Sequence, residues 1–224
     1  MTTLHVVRVF VGPDGNGGNL LGVFLDGGAI EESRRQAVTA ELGFSETVFV
    51  DDAANGRIRI FLPTTEAAFA GHPSVGTAWL LREVGTPVTA LQPPAGEVPV
   101  HYDDDSTWIR ARPEWLPGEV RIVQLGSAAE VEAHPGQRMG QPWLYIWAWE
   151  DEKDGRLRSR SFPTNFGILE DEASGAASVV MGSRLGRPLT IRQGVGSEIL
   201  VRPGDEGTVE VGGHTEIVET RDFA

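Results

Sequence analysis

Three side chains in this sequence are of types that exchange protons with small molecules, and each stands beside a segment boundary. Glu46 lies in Phe44-Ser45-Glu46-Thr47-Val48-Phe49-Val50, His72 in Gly71-His72-Pro73-Ser74-Val75-Gly76, and Asp171 in Glu170-Asp171-Glu172-Ala173-Ser174-Gly175. A carboxylate at the start of an otherwise apolar strand is either a turn group in water or a general acid. In the second case, burial beside a ligand raises its pKa until it holds a proton at neutral pH. His72 reads either as a helix-capping imidazole satisfied by backbone or as an acid/base group, and Asp171 either as an N-cap carboxylate or as its partner. Asn19, in Gly17-Gly18-Asn19-Leu20, suits a turn by residue type alone.

Other chemistries fail on inspection. With no cysteine, disulfides, zinc-thiolate sites and thiol nucleophiles are excluded. The five histidines are isolated and no His-Glu-x-x-His occurs, so no metal is expected. Asp103-Asp104-Asp105 lacks the glycine and distal glutamate of a calcium loop and reads as a solvated turn. Gly12 to Gly18 leads into neither Gly-Lys-Ser/Thr nor a third dinucleotide-type glycine, and there is no Gly-x-Ser-x-Gly, so no nucleotide cofactor or serine nucleophile is expected. The net charge of −13, with 19 scattered basic residues, repels nucleic acid and anionic membranes. The N-terminus lacks a signal-peptide pattern and no apolar run approaches a bilayer span, so a soluble cytoplasmic protein is expected. An acidic surface leaves room for a local pocket of N–H groups that binds an anion.

The elements that must position these residues are short strands at Leu4 to Val11, Thr47 to Asp51, Arg57 to Leu62, Trp108 to Arg112 and Trp143 to Trp149, divided by Gly, Pro, Asn and Asp turns. Helices are predicted from Ile30 to Leu42, with Gly43 as its stop, from Pro73 through Leu81, and from about Ala173. Trp143, Tyr145, Trp147 and Trp149 alternate onto one strand face, which is either a packed sheet face or a pocket wall. An internal repeat at an offset of 99 places Arg57 on Arg156, Arg59 on Arg158, Thr65 on Thr164, Gly76 on Gly175, Ala78 on Ala177 and His72 on Asp171. Both units read strand, loop, polar residue, then a helix start rich in Gly and small residues. The expectation is two similar lobes, 1–115 and 116–224, connected near the Gly-Pro segments 86–96 and 113–118. If the lobes face each other, two helix N-termini offer unpaired N–H groups to a substrate carboxylate or developing enolate, with His72 and Asp171 flanking the cleft.

Taken together, Gly17-Gly18-Asn19, Leu42-Gly-Phe-Ser45-Glu46-Thr47-Val-Phe-Val50, Arg59-Ile-Phe-Leu-Pro63, Ala70-Gly71-His72-Pro73-Ser-Val-Gly76-Thr77-Ala78 and Gly167-Ile-Leu-Glu170-Asp171 with Gly175 and Ala177 resemble the phenazine-biosynthesis PhzF-like family, relatives of diaminopimelate epimerase. The resemblance implies an α+β fold of two similar lobes, each a curved, barrel-like mixed sheet around a central helix, with the active site between them. It further implies a cofactor-independent isomerase or epimerase that moves a proton on a small acidic substrate, and a homodimer. By the same implication Glu46 is the proton shuttle, His72 and Asp171 line the pocket, and Asn19, Gly71, Pro73, Gly175 and Ala176 contribute to substrate binding. Where the epimerase relatives carry two thiols this chain has none, so a two-thiol racemase mechanism is ruled out. The chain departs from the family pattern at Glu172 (usually Pro), Ser174 (Thr), Ala176 (Ser) and Leu20 (Pro), and it is shorter than the family leads one to expect, the loss falling in the second lobe. Ala176 removes a hydroxyl, and Glu172 adds negative charge beside the anion pocket unless it points outward. Two other readings therefore stand: a catalytically silent small-molecule-binding member of the same fold, and a β-rich binding module in which the motifs are coincidental.

Overall fold

A computed structural model describes residues 2–103, 105–116 and 118–223. In chain order the first part contains β1 (Thr2–Val11), β2 (Gly17–Phe24), α1 (Glu32–Leu42), β3 (Glu46–Asp52), β4 (Arg57–Phe61), β5 (Glu66–Ala67), α2 (Gly71–Glu83), β6 (Ala90–Leu91), β7 (Val98–Tyr102) and β8 (Thr107–Ala111). There follow β9 (Arg121–Gln124), α3 (Ala128–Ala133), β10 (Leu144–Asp151), β11 (Arg156–Phe162), α4 (Gly175–Leu185), β12 (Leu189–Gln193), β13 (Ser197–Pro203) and β14 (Val209–Phe223). The main strand path runs β5-β4-β3-β2-β1-β14-β13-β12-β11-β10-β9, with β8 paired to β14 and β7 and β6 beyond it, so the mixed sheet is continuous and open. Among the described residues no helix is long and apolar enough to cross a membrane.

Helix α2 touches β1, β2, β3, β8 and β14. Strands about 4.8 Å apart can do that around a helix about 10 Å wide only if the sheet wraps it. The sequence permits this because the first turns of α2 are small and apolar on every side: residues Gly71 through Ala78 are all buried. Of the polar members of that run, Ser74 donates to the Ala70 carbonyl at 2.8 Å, whereas Thr77 Oγ1 and His72 Nε2 are buried without a hydrogen-bond partner among the described residues. Helix α4 packs on β13, β14 and α2, and its Ser178 makes the same four-residue back-bond to Ser174 at 2.9 Å. A single core joins both halves, with α1 on the outer face of β3 and β4 and α3 on that of β10 and β11.

The long strand β14 makes the connection between halves. Its residues 209–213 pair with β8 and β13, and the remainder pairs with β1, antiparallel throughout. Hairpins β3–β4 and β10–β11 share an irregular register before the turn, between Val50 and Asp52 in one and Trp149 and Asp151 in the other. Each turn ends on a left-handed glycine, Gly56 (φ 64°) and Gly155 (φ 69°), whose absent Cβ would sit 2.4 Å from the Ala90 carbonyl and 2.5 Å from the Pro188 carbonyl respectively. Gly155→Ala therefore meets both a forbidden φ and a backbone clash. It is expected to lower stability by about 2–3 kcal/mol in a urea midpoint measurement, against no more than about 0.5 kcal/mol for Gly28→Ala, which adds a Cβ into open space.

Some expectations are corrected by the helix starts. Helix α1 begins at Glu32, preceded by a separate 3-10 turn at Gly27–Ala29, and ends as expected on left-handed Gly43. Helix α2 starts at Gly71, placing Pro73 third in the helix, and α4 starts at Gly175. The 99-residue offset holds at the hairpins, where Arg57 and Arg156 both open strands, but not at the helices. Gly71 and Gly175, and the back-bonding Ser74 and Ser178, are the true equivalents, because β11 is two residues longer than β4 and its connection to α4 three residues longer than that from β4 to α2. Gly76 does not correspond to Gly175, nor His72 to Asp171. The Trp143 to Trp149 face is mainly core, with Tyr145 and Trp147 buried. Asp103 accepts from Trp108 Nε1 and the Ser106 amide, both at 2.7 Å, so it is a structured turn rather than a solvated one; Asp104 lies outside the described residues.

Candidate active site

The N-terminal ends of α2 and α4 meet. A Cβ on Gly71 would lie 2.7 Å from the Gly175 carbonyl carbon, and one on Gly175 would lie 2.7 Å from the His72 amide nitrogen. Neither helix has a side-chain cap. Their free first-turn amides and the positive ends of two dipoles therefore converge, which is an anion-binding arrangement. Pro73, expected among the binding residues, supplies no N–H, and the Ser74 amide already bonds the Ala70 carbonyl at 3.3 Å. On α2 the available amides are those of Gly71 and His72. On α4 they are those of the first turn, Gly175 to Ala177, since the Ser178 amide bonds Ser174.

Glu46, at the first position of β3, and His72 are both buried, with Glu46 Oε2 3.5 Å from His72 Nε2. Neither of these two atoms has a hydrogen-bond partner. Facing buried polar atoms without partners are what a ligand would satisfy. Asn19 ties the third group in: its Nδ2 donates to Asp171 Oδ1 at 2.5 Å and lies 3.4 Å from His72 Nδ1, while its Oδ1 accepts from Ser45 at 3.1 Å. Asp171 is not the N-cap of α4, a position held by Ser174. It is fixed by its own amide on the Ser161 carbonyl at 2.9 Å and by Gln193 donating to its carbonyl at 2.8 Å.

These three titratable groups, with Ala70, Gly71, Ser174, Gly175 and Ala176, line a small, partly open chamber of about 30 Å³, whose lining is completed by Leu62, Phe69, Trp143, Pro163, Phe166 and Ile168. Among the described residues no lysine or arginine lines it. Pro73 is buried but does not line the chamber, and Asn19 reaches it only through Asp171 and His72. Trp143, held by Nε1 donating to Ser161 Oγ at 3.0 Å, is the one member of the aromatic run on the wall. Phe69 and Phe166 carried no sequence signal beyond being aromatic, and Gln193 none beyond being polar, whereas Ser174 stood at a position of the family pattern.

Burial sets the charges. Desolvation, followed by the negative charge of Asp171, raises Glu46 to about 8, against a smaller opposing hydrogen bond from Ser45. Desolvation lowers His72 to about 3, opposed by a bond to the Leu20 backbone. Asp171 is raised to about 6 by desolvation, with Ser174 and Asn19 holding it down. At pH 7 the site therefore holds a protonated Glu46, a neutral His72 and a largely ionised Asp171, two carboxyl groups pushed to different states by their surroundings. Glu172 points away from the helix starts, accepting from the Val195 amide and Ser197 Oγ, both at 2.8 Å. Its carboxylate is held on the 194–197 turn, while its negative charge is still felt at the site as one of the influences that raise Asp171.

A family model described as phenazine biosynthesis-like protein matches residues 9–114. The trans-2,3-dihydro-3-hydroxyanthranilate isomerase of Pseudomonas aeruginosa is 31% identical over 223 residues, covering 82% of this chain and 80% of that protein. The solved PhzF-family phenazine biosynthesis protein of Bacillus anthracis superposes with a TM-score of 0.80 at 19% identity, covering 100% of this chain and 99% of that one. A hydroxyproline epimerase from Agrobacterium vitis, at 14% identity and a TM-score of 0.61 over 98% of this chain and 91% of that one, shares the fold.

Proposed function

This chain belongs to the phenazine biosynthesis-like (PhzF) family of isomerases, and from that premise we propose that it shifts a proton between two atoms of a small carboxylic acid without a cofactor. The observation that carries the reading is the protonated, unpartnered Glu46 carboxyl facing His72 where two uncapped helix starts meet. The free amides of Gly71, His72 and the first turn of α4 hold the substrate carboxylate and stabilise charge developing next to it. Glu46 delivers its proton to one atom and, once ionised, takes one from the other. Asp171 stays ionised and, through Asn19, keeps the imidazole and carboxyl in register. The relative from Pseudomonas aeruginosa is named for a dihydro-hydroxyanthranilate, a cyclic carboxylic acid, which puts that chemical class first on the panel of substrates.

The test is C–H to C–D exchange in deuterium oxide, followed by NMR over a panel of cyclic and linear carboxylic acids. Catalysed exchange on at least one acid is the expected result. Saturable binding with no exchange on any acid would replace the enzyme by a silent binding member of the same fold. The pH profile carries its own prediction. Asp171 must be ionised and Glu46 protonated, so kcat/KM should rise through about 6 and fall through about 8, the two limbs belonging to the coupled pair. A rate that climbs steadily through pH 9 would mean that the resting form of Glu46 is the carboxylate.

A further inference from the structure

The chamber that holds the reactive groups has room for the carboxylate end of a substrate and not for its body: its free volume is about 30 Å³, whereas small-molecule sites run to about 300–1,000 Å³. A cleft of about 700 Å³ lies next to it, and Ile168 and Asp171 line both spaces, with Asn19 standing on the cleft side of Asp171. The cleft's charged groups are already engaged. Arg8 is held by Glu216 and by the carbonyls of Gly15 and Gly17, Glu170 by Arg160 at 2.7 and 2.8 Å, and Glu172 by the Val195 amide and Ser197. Beside these and the polar Asn16, Asn19 and Ser45, the cleft is lined by six apolar side chains: Leu20, Phe44, Pro63, Ile168, Leu169 and Val195. Leu20, Leu169 and Val195 are 39%, 57% and 83% exposed, so three large apolar side chains stand in water around one opening. Scattered exposed leucines need no explanation, but a cluster at the mouth of a buried reactive site does.

We infer that this cleft is a subsite for the apolar body of the substrate, which makes the preferred substrate class an amphiphilic monocarboxylic acid with an alkyl or aryl extension rather than a compact or doubly charged acid. The inference rests on the proposed site at the helix starts, since it is the carboxylate end that reaches past Asn19 to Asp171 and the amides. Monocarboxylates suit the arrangement because, among the described residues, the lining of the chamber has no cation for a second charge and already contains an ionised Asp171. Leu20, standing where the family pattern has proline, places a flexible apolar side chain on the cleft wall.

The experiment measures dissociation constants by ligand-observed NMR for butanoate, hexanoate, octanoate and 3-phenylpropanoate. It compares the wild-type chain with a Leu169→Ser/Val195→Ser double variant, whose sites are exposed enough that folding is not at risk. Affinity should rise by about two- to fourfold per added methylene in the wild type, and the slope should fall by half or more in the variant while the two proteins converge at butanoate. An affinity that ignores chain length, or a slope equal in both proteins, overturns the subsite. Because binding is read without turnover, the two readings fail separately. Length-dependent affinity with no deuterium exchange removes the isomerase but keeps the subsite, and exchange with flat length dependence does the reverse.

Discussion

Glu46→Gln should cost about 10²–10⁴-fold in deuterium exchange on any acid that the wild-type protein turns over, and at the same time make the protein more stable at alkaline pH. Both follow from one fact: Glu46 is buried next to the Asp171 charge, which lifts its pKa to about 8. A carboxyl whose folded pKa is raised contributes its full stability below its ordinary value near 4.5 and loses it as pH climbs through the folded value, because the unfolded chain ionises where the folded one resists. Glutamine has the same shape and no proton to lose. The stability difference, variant minus wild type, should therefore be small at pH 5, grow steadily through pH 7 and level off above pH 8, at about 4–5 kcal/mol. His72 runs the other way: its depressed pKa costs stability as pH falls from 6.5 towards 3, in both proteins alike, so the difference isolates Glu46. Urea melts at four pH values give the curve. A flat difference would place Glu46 in water, and exchange reduced less than tenfold would take the proton shuttle away from it.

Glu46 was legible because a carboxylate opening the run Thr47-Val48-Phe49-Val50 conflicts with its neighbours, and sequences break local consistency mainly where function demands it. The family motifs fixed the ends of both helices to within a few residues. The position of Asp171 relative to α4 could not be read. A repeat offset assumes equal element and loop lengths, but β11 is two residues longer than β4 and the segment after it three residues longer, carrying Asp171 onto Ser161 before Ser174 caps the helix. Nor could the role of Asn19 be read: an Asn after two glycines is a turn residue by every local rule, and only the fold shows its amide bridging Asp171 and His72 from the other side of the cleft. Glu172 illustrates the converse. Its charge in the motif looked harmful, and the fold holds its carboxylate on Ser197, whose Oγ also accepts from the Gly18 amide, so an apparent defect ties β13 to the start of β2.

The meeting of the two helix starts should be the least forgiving point of the molecule. Gly175→Ala places a methyl 2.7 Å from the His72 amide nitrogen and 3.0 Å from the Gly71 Cα, and Gly71→Ala places one 2.7 Å from the Gly175 carbonyl carbon. Both neighbours are backbone, so nothing flexible can swing aside. Either the helices separate or the methyl occupies the space that the amides present to an anion. Each single variant should lose about 2–4 kcal/mol of stability and bind a carboxylate such as butanoate at least about tenfold more weakly, which is the loss of a single charge-assisted hydrogen bond to the anion. The double variant should fall short of the sum, because the two methyls push on the same contact and the first separation relieves the second. Urea midpoints and the butanoate dissociation constant check each part. Alanine at either glycine with unchanged binding would mean that the anion sits elsewhere, since a site built from those amides cannot admit a side chain at their point of closest approach.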